Sequence, residues 1–241
     1  MYRKKQVSSL MAPKGRYKRM QKEDWLSYLF PIQIERRVGQ ISPFLEVTKH
    51  RGKFLLNSRH VNYSFGGLHA IFNQLFRETE IRKFPFTRVL ILGMGAGSVV
   101  SLLRDNYGVK APITAVEADE VVIELARKYF ELNRHKDVEV IHVDAFDFVK
   151  NAEETYDLII TDLFIDEEVP DKFATKEFLG GLKRICAEPG CVIYNKMTEA
   201  PIHKEQYALL FENFRKNFGG ARTYELYAGN SQNSLMYVNT F

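Results

Sequence analysis

Two hydrophobic rhythms divide the chain. Before residue 60 the apolar positions alternate with polar ones. "IQIERRV" and "PFLEVTKHRGKFLLN" read as strands, with a turn at His50–Lys53 where Gly52 supplies a left-handed position. Upstream, "DWLSYLFPI" (Asp24 to Ile32) predicts a short capped helix that stops before Pro31. In "FGGLHAIFNQLFRE", Leu68, Ile71, Phe72, Leu75 and Phe76 fall at helical spacing, which predicts a linking helix at about 64–79. After Pro85, apolar runs alternate with amphipathic ones. Strands are predicted at 87–93, 112–118, 138–143, 156–162 and 190–196, and helices at 97–107, 120–133, 175–188 and 202–217, with a short one near 145–152. The strands are apolar throughout, as strands covered by helices on both faces are. "ARTYELYAGNSQNSLMYVNTF" reads as two alternating runs around "GNSQN", a terminal β-hairpin. The prediction is α/β: a doubly wound, mostly parallel seven-stranded sheet ending in an antiparallel hairpin, with a small N-terminal β appendage. It divides the chain into 1–22, 23–80 and 81–241.

Composition changes this picture little. With 241 residues, 45% hydrophobic and 27% charged, the chain can bury one sizeable core. No apolar run reaches the length of a membrane helix, and the N-terminus lacks the apolar stretch of a secretory signal. Two cysteines, Cys186 and Cys191, are too few for a disulfide framework, so reduced thiols and a cytoplasmic location are expected. Charge is more informative. The net +4 conceals an arm, residues 1–22, with eight Lys/Arg and no acid, so the remainder is acidic. Such an arm is either a solvated tail, the favoured reading, or a grip on RNA or an anionic surface; organellar targeting is a minor option.

The candidate chemistry sits at strand ends. Gly93, Gly95 and Gly97 in "VLILGMGAGSVV" occupy the first strand-to-helix turn of the predicted sheet, where open α/β sheets bind ligands. The helix that follows offers N–H groups and a positive dipole end to an anion. The spacing is G-x-G-x-G rather than the dinucleotide fingerprint G-x-G-x-x-G, which weakens an NAD reading without excluding it. Glu117 ends the second strand, where a carboxylate can take both hydroxyls of a ribose. Asp119 is ambiguous between a ligand contact and a cap for the next helix. Asp144 and Ala145 follow the third strand: the acid can accept from an adenine amino group and the small residue leaves room for the ring, although Asp144 can also cap a helix. Asp147 is expected to face solvent. Asp162 closes the fourth strand, facing the middle of the ligand crevice, and the acidic loop Asp166, Glu167, Glu168 follows; clustered carboxylates suit a cationic substrate or make a base. One extended adenosine-containing ligand accounts for all four strand ends.

This arrangement resembles the class I S-adenosylmethionine-dependent methyltransferase fold, a Rossmann-like sheet ending in a hairpin. Within it the chain is most similar to spermidine synthases, the polyamine aminopropyltransferases. The N-terminal β region, "VEAD", the "DA" after the third strand and the acidic loop after "YDLIITD" carry the likeness, over about residues 32–241. The resemblance implies a transferase that binds S-adenosylmethionine, its decarboxylated form or methylthioadenosine, with no metal, and moves a methyl or aminopropyl group to a small amine. It places Gly93, Met94, Gly95, Ala96 and Gly97, with Glu117, Ala118, Asp144 and Ala145, around the donor. Asp162 becomes the catalytic candidate, and Tyr63 and Asp166 line the acceptor pocket. The chain departs from the family pattern in places. "GMGAGS" puts Ala96 where G-G-G-D-G-G has its acid, and "DLFIDEEVP" replaces D-S-[ST]-D-P. Those losses point to a relative of spermidine synthases rather than to spermidine synthesis itself. An RNA- or protein-modifying methyltransferase using the basic arm, and a non-catalytic nucleoside-binding domain, stay open, as does a homodimer.

Overall fold

The computed structural model describes residues 25–59, 62–64, 67–165, 169–198, 201–228 and 231–241. The basic arm and the acidic loop 166–168 therefore lie outside the described residues. Four antiparallel strands come first: β1 (Ile32–Arg37), β2 (Leu45–His50), β3 (Lys53–Asn57) and β4 (Asn62–Ser64), paired in that order. The β2–β3 turn is the one the sequence predicts. His50 pairs with Lys53, and both residues between them are left-handed, Arg51 at φ 50° and Gly52 at φ 75°, the geometry a two-residue hairpin requires. Ser27 holds the tip, accepting from the Arg51 amide at 2.7 Å and, through its hydroxyl, from the Gly52 amide at 3.0 Å. Of the predicted helix at Asp24–Ile32, only Trp25 and Leu26 are helical among the described residues.

The linking helix α1 (Gly67–Glu78) leads into the main sheet. Its strands are β5 (Val89–Leu92), β6 (Ile113–Glu117), β7 (Val138–His142), β8 (Tyr156–Thr161), β9 (Cys186–Met197), β10 (Arg222–Ala228) and β11 (Ser231–Asn239), ordered β10-β11-β9-β8-β5-β6-β7. Strands β5 to β9 are parallel, and β11 runs antiparallel between β9 and β10. The helices are α2 (Ser98–Ser101), α3 (Glu120–Tyr129), α4 (Ala145–Asn151), α5 (Lys176–Ile185) and α6 (Pro201–Phe218).

Alternation along each strand builds two cores. Val89, Ile91, Leu158, Ile160 and Ile193 pack on the face of α1 and α2, while Leu90, Leu92, Ile159, Val192 and Tyr194 pack on the face of α4, α5 and α6. Helix α3 is buried on two sides. Ile123 and Ala126 join the main core; Val122 and Leu125 meet Leu45, Val47 and Leu56 of the N-terminal sheet. Around that contact Glu35 accepts from Lys128 and Tyr129, each at 2.6 Å, and these bonds hold its carboxyl down to about 2.

Some boundaries differ from the predicted ones for identifiable reasons. The predicted 97–107 helix is α-helical for one turn and then widens into a π-turn over Leu102–Asn106. That turn carries the Tyr107 hydroxyl to within 2.8 Å of the Asn73 side-chain oxygen. The predicted 175–188 helix stops at Ile185, three residues before Glu188, whose neighbour Pro189 disfavours helical backbone. The 120–133 helix ends at Tyr129 and is followed by left-handed Glu131 at φ 53°.

Candidate functional site

The chain leaves β5 for β6 and β7 on one side and returns to β8 and β9 on the other. The loops after β5 and β8 therefore diverge at the carboxyl edge and leave a crevice there, the switch point at which open α/β sheets bind ligands. The glycine turn fills its floor. Gly93, Gly95 and Gly97 adopt φ of 83°, 54° and 85°. At Gly93 the requirement is steric as well, because a Cβ would stand 2.1 Å from the Asp162 carbonyl oxygen. Met94 and Ala96 between them are buried, Met94 in the core beneath α1 and α2, Ala96 in the core beside α3. They offer the turn only their backbone.

Glu117, at the end of β6, closes one side. Oε2 accepts from the Gly95 amide at 2.9 Å, and Oε1 accepts from the amides of Ala118 at 2.9 Å and Asp119 at 3.0 Å. Burial pushes its carboxyl above the usual range, and those three donors act in the opposite sense. A carboxylate has about four acceptor sites, so in this conformation Glu117 keeps one on Oε2 rather than the two that a bidentate ribose contact requires.

Asp162 closes the other side, following β8. Burial is the largest influence on it and, with the nearby Glu117 charge, lifts its carboxyl to about 7. The opposing influence is Asn195, in β9, whose Nδ2 donates to Asp162 Oδ1 at 2.9 Å. Thr161 pairs with Tyr194 across the parallel β8–β9 ladder, so the next residues, Asp162 and Asn195, come side by side. Asn195 is wholly buried, and its Oδ1 has no hydrogen-bond partner among the described residues. Leaving an amide oxygen buried and unpaired costs about 1–3 kcal/mol.

Asp144 is farther along the edge. Its Oδ1 accepts from the Phe146 amide at 2.8 Å, capping α4, and its Oδ2 is 2.6 Å from Lys172 Nζ. Ala145 is buried in the core under that helix and Asp147 is exposed. Asp119 proves structural: it caps α3 through Val121 N at 3.0 Å and reaches the N-terminal region, accepting from Ile41 N at 3.0 Å and Ser42 N at 3.4 Å. Gly39 lets it in, since a Cβ there would meet Asp119 Oδ2 at 2.2 Å. Tyr63 is placed in β4 without a described side chain, and Asp166 lies outside the described residues.

Glu117 and Asp162 thus flank the glycine turn at the carboxyl edge of the sheet, with Asp144 and its helix farther along the same edge. Sequence reasoning missed Asn195 and Lys172. The first left a readable signal, an amide within the apolar run "CVIYNKM"; the second, one lysine in a charged segment, left none. Among the described residues no group of three His, Cys, Asp or Glu side chains could hold a metal ion, and no helix is long and apolar enough to cross a membrane.

The spermine/spermidine synthase domain family matches residues 82–236. A polyamine aminopropyltransferase from Vibrio vulnificus is 31% identical over 135 residues, which is 55% of this chain and 44% of that protein. The chain spans about half the length of the curated relatives it matches. Among solved structures, a probable spermidine synthase from Corynebacterium glutamicum aligns at 18% identity with a TM-score of 0.71, over 87% of this chain and 80% of that one. Human methyltransferase-like protein 13, in complex with SAH, aligns at 22% identity with a TM-score of 0.58, over 72% and 82%. The two structural likenesses establish the Rossmann-like methyltransferase fold.

Proposed function

The chain belongs to the spermine/spermidine synthase domain family, and we propose that it transfers a methyl or aminopropyl group from a sulfonium nucleoside to a small amine. The donor is S-adenosylmethionine or its decarboxylated form, with methylthioadenosine as a product-like ligand. One observation carries this reading: the Glu117 carboxylate lies 2.9 Å from the amide of Gly95 in a turn whose three left-handed positions are all glycine. The turn fits such a donor because its three glycines leave no side chain over the crevice floor. Gly93, Gly95 and Gly97, with the backbone of Met94 and Ala96, receive the donor's amino-acid end. Glu117 and Ala118 hold the ribose, and Asp144 and Ala145 meet the adenine, whose amino group takes Lys172's place at Asp144 or shares that oxygen.

The donor supplies a carbon made electrophilic by sulfur that departs as a neutral thioether. The protein supplies alignment and a proton acceptor. An ammonium substrate gives one proton to the Asp162 carboxylate. The freed nitrogen pair forms the new N–C bond as the C–S pair returns to sulfur. Tyr63 and Asp166 complete the acceptor pocket. Ala96 brings no carboxylate to the donor's ammonium end, so the aminopropyl and methyl donors are to be compared directly. The second reading, methylation of an RNA or protein amine gripped by the arm at 1–22 with its eight Lys/Arg and no acid, is marked by binding that falls steeply with salt.

Calorimetry on the full chain tests the proposal, with S-adenosylmethionine, its decarboxylated form, methylthioadenosine and NAD as ligands. Binding of the sulfonium nucleosides, lost in a Glu117→Ala variant that melts normally, is expected. Binding of NAD alone overturns the proposal.

A further inference from the structure

We propose that Asn195 is the positioning residue for Asp162 in both of its protonation states, its side-chain amide turning over as the carboxyl gains and loses a proton. This rests on the reading of Asp162 as the proton acceptor, and it concerns a residue that neither the glycine turn nor the donor site involves.

The argument starts from the amide. Asn195 Nδ2 is 2.9 Å from Asp162 Oδ1. An ionised carboxylate only accepts, so the amide must face it with NH2, and its oxygen is turned away. That oxygen is buried and unpaired among the described residues, and Asn195 itself has no exposed surface. A ligand cannot reach such an atom without moving the site. The reaction does generate one donor beside it: the proton that Asp162 acquires. A protonated carboxyl carries an O–H, and an amide rotated by half a turn presents Oδ1 to receive it. Asparagine can answer both forms of its neighbour; an apolar side chain such as Val192 or Ile193, earlier in the same strand, can answer neither. The unpaired oxygen in the charged state is then the acceptor of the neutral state.

The charges around Asp162 limit what else can act. Among the described groups, Glu117 from the end of β6 is the charge that bears on it, and it disfavours ionisation. Asn195 Nδ2 is the group on β9 that favours ionisation. Asn195 therefore opposes burial and Glu117 in the balance between base and acid, a balance a proton acceptor must cross in each turnover. The proton comes from the substrate ammonium and departs to water after transfer.

The test is a carboxyl titration of Asp162 by 13C NMR in the full chain, assigned with Asp162→Asn and repeated in Asn195→Leu. The wild-type midpoint should lie near neutral pH. In Asn195→Leu it should move up by about one pH unit, a tenfold rise in proton affinity, because the charge-assisted N–H bond to the carboxylate is stronger than the neutral bond that replaces it in the acid. An unmoved midpoint overturns the proposal, because a residue that only fills space changes stability equally at every pH. Should Asn195→Leu fold poorly, Asn195→Val is titrated, and the pH dependence of wild-type melting is compared with that of Asn195→Val. The pH at which stability stops falling must also move up. Nucleoside calorimetry is run on the wild-type protein alongside: absent donor binding overturns the transferase reading and this inference with it, whereas an unmoved midpoint with donor binding intact overturns this inference alone.

Discussion

Replacing Asp162 by asparagine should stabilise the protein above neutral pH while removing its proton acceptor. An ordinary aspartate in the unfolded chain ionises near 3.8, and in the folded protein Asp162 does so at about 7. Between those values the folded state holds a proton that the unfolded state has released, so stability falls as pH rises through the window and levels off above about 7. About 3 units at 1.4 kcal/mol each sets an upper bound of about 4 kcal/mol. Asp162 keeps partial contact with solvent, which halves the expectation to about 2 kcal/mol. The amide that Asp162→Asn introduces stays neutral throughout, keeps an oxygen for Asn195 Nδ2, and relieves the repulsion of Glu117. For a chain of this length, about 2 kcal/mol corresponds to a rise in melting temperature of roughly 4–8 °C. The assay is thermal unfolding of both proteins at pH 5 and pH 8. The gap between them should open with pH, and transfer activity should vanish in the variant. A gap that is the same at both pH values, or a variant less stable than the parent at pH 8, refutes the reasoning.

Gly93→Ala should lower the urea midpoint by the equivalent of at least about 2 kcal/mol and abolish nucleoside binding, because its Cβ would meet the Asp162 carbonyl at 2.1 Å in left-handed backbone; an unchanged midpoint removes the steric account of the turn. Asp119→Ala should cost about 2–3 kcal/mol, since it removes the cap of α3 and the acceptor of the Ile41 and Ser42 amides. Hydrogen exchange should then quicken at Ile41 and Ser42 but not in β5 to β9; uniform quickening would mean that Asp119 does not tie the two sheets together.

The sequence by itself determined the elements and the order in which they meet. Alternation in "LEVTKH" and "KFLLN", the left-handed Gly52 and the unbroken apolar run of β5 are local properties of consecutive residues, and local backbone preference is enough to read them. The doubly wound order followed, because parallel strands joined by helices admit few arrangements. It also placed the glycine turn, Glu117, Asp144 and Asp162 at strand ends. The tertiary structure alone decided what each acid does there. Asp119 and Glu117 are two residues apart, yet one is spent joining the N-terminal sheet to α3 and the other braces the glycine turn. Asp144 caps a helix and meets Lys172, 28 positions away. Asn195 stands beside Asp162, 33 positions earlier, only because β9 lies next to β8 in register. Hydrogen-bond partners and burial depend on atoms brought together by packing, and no window along the chain contains those atoms.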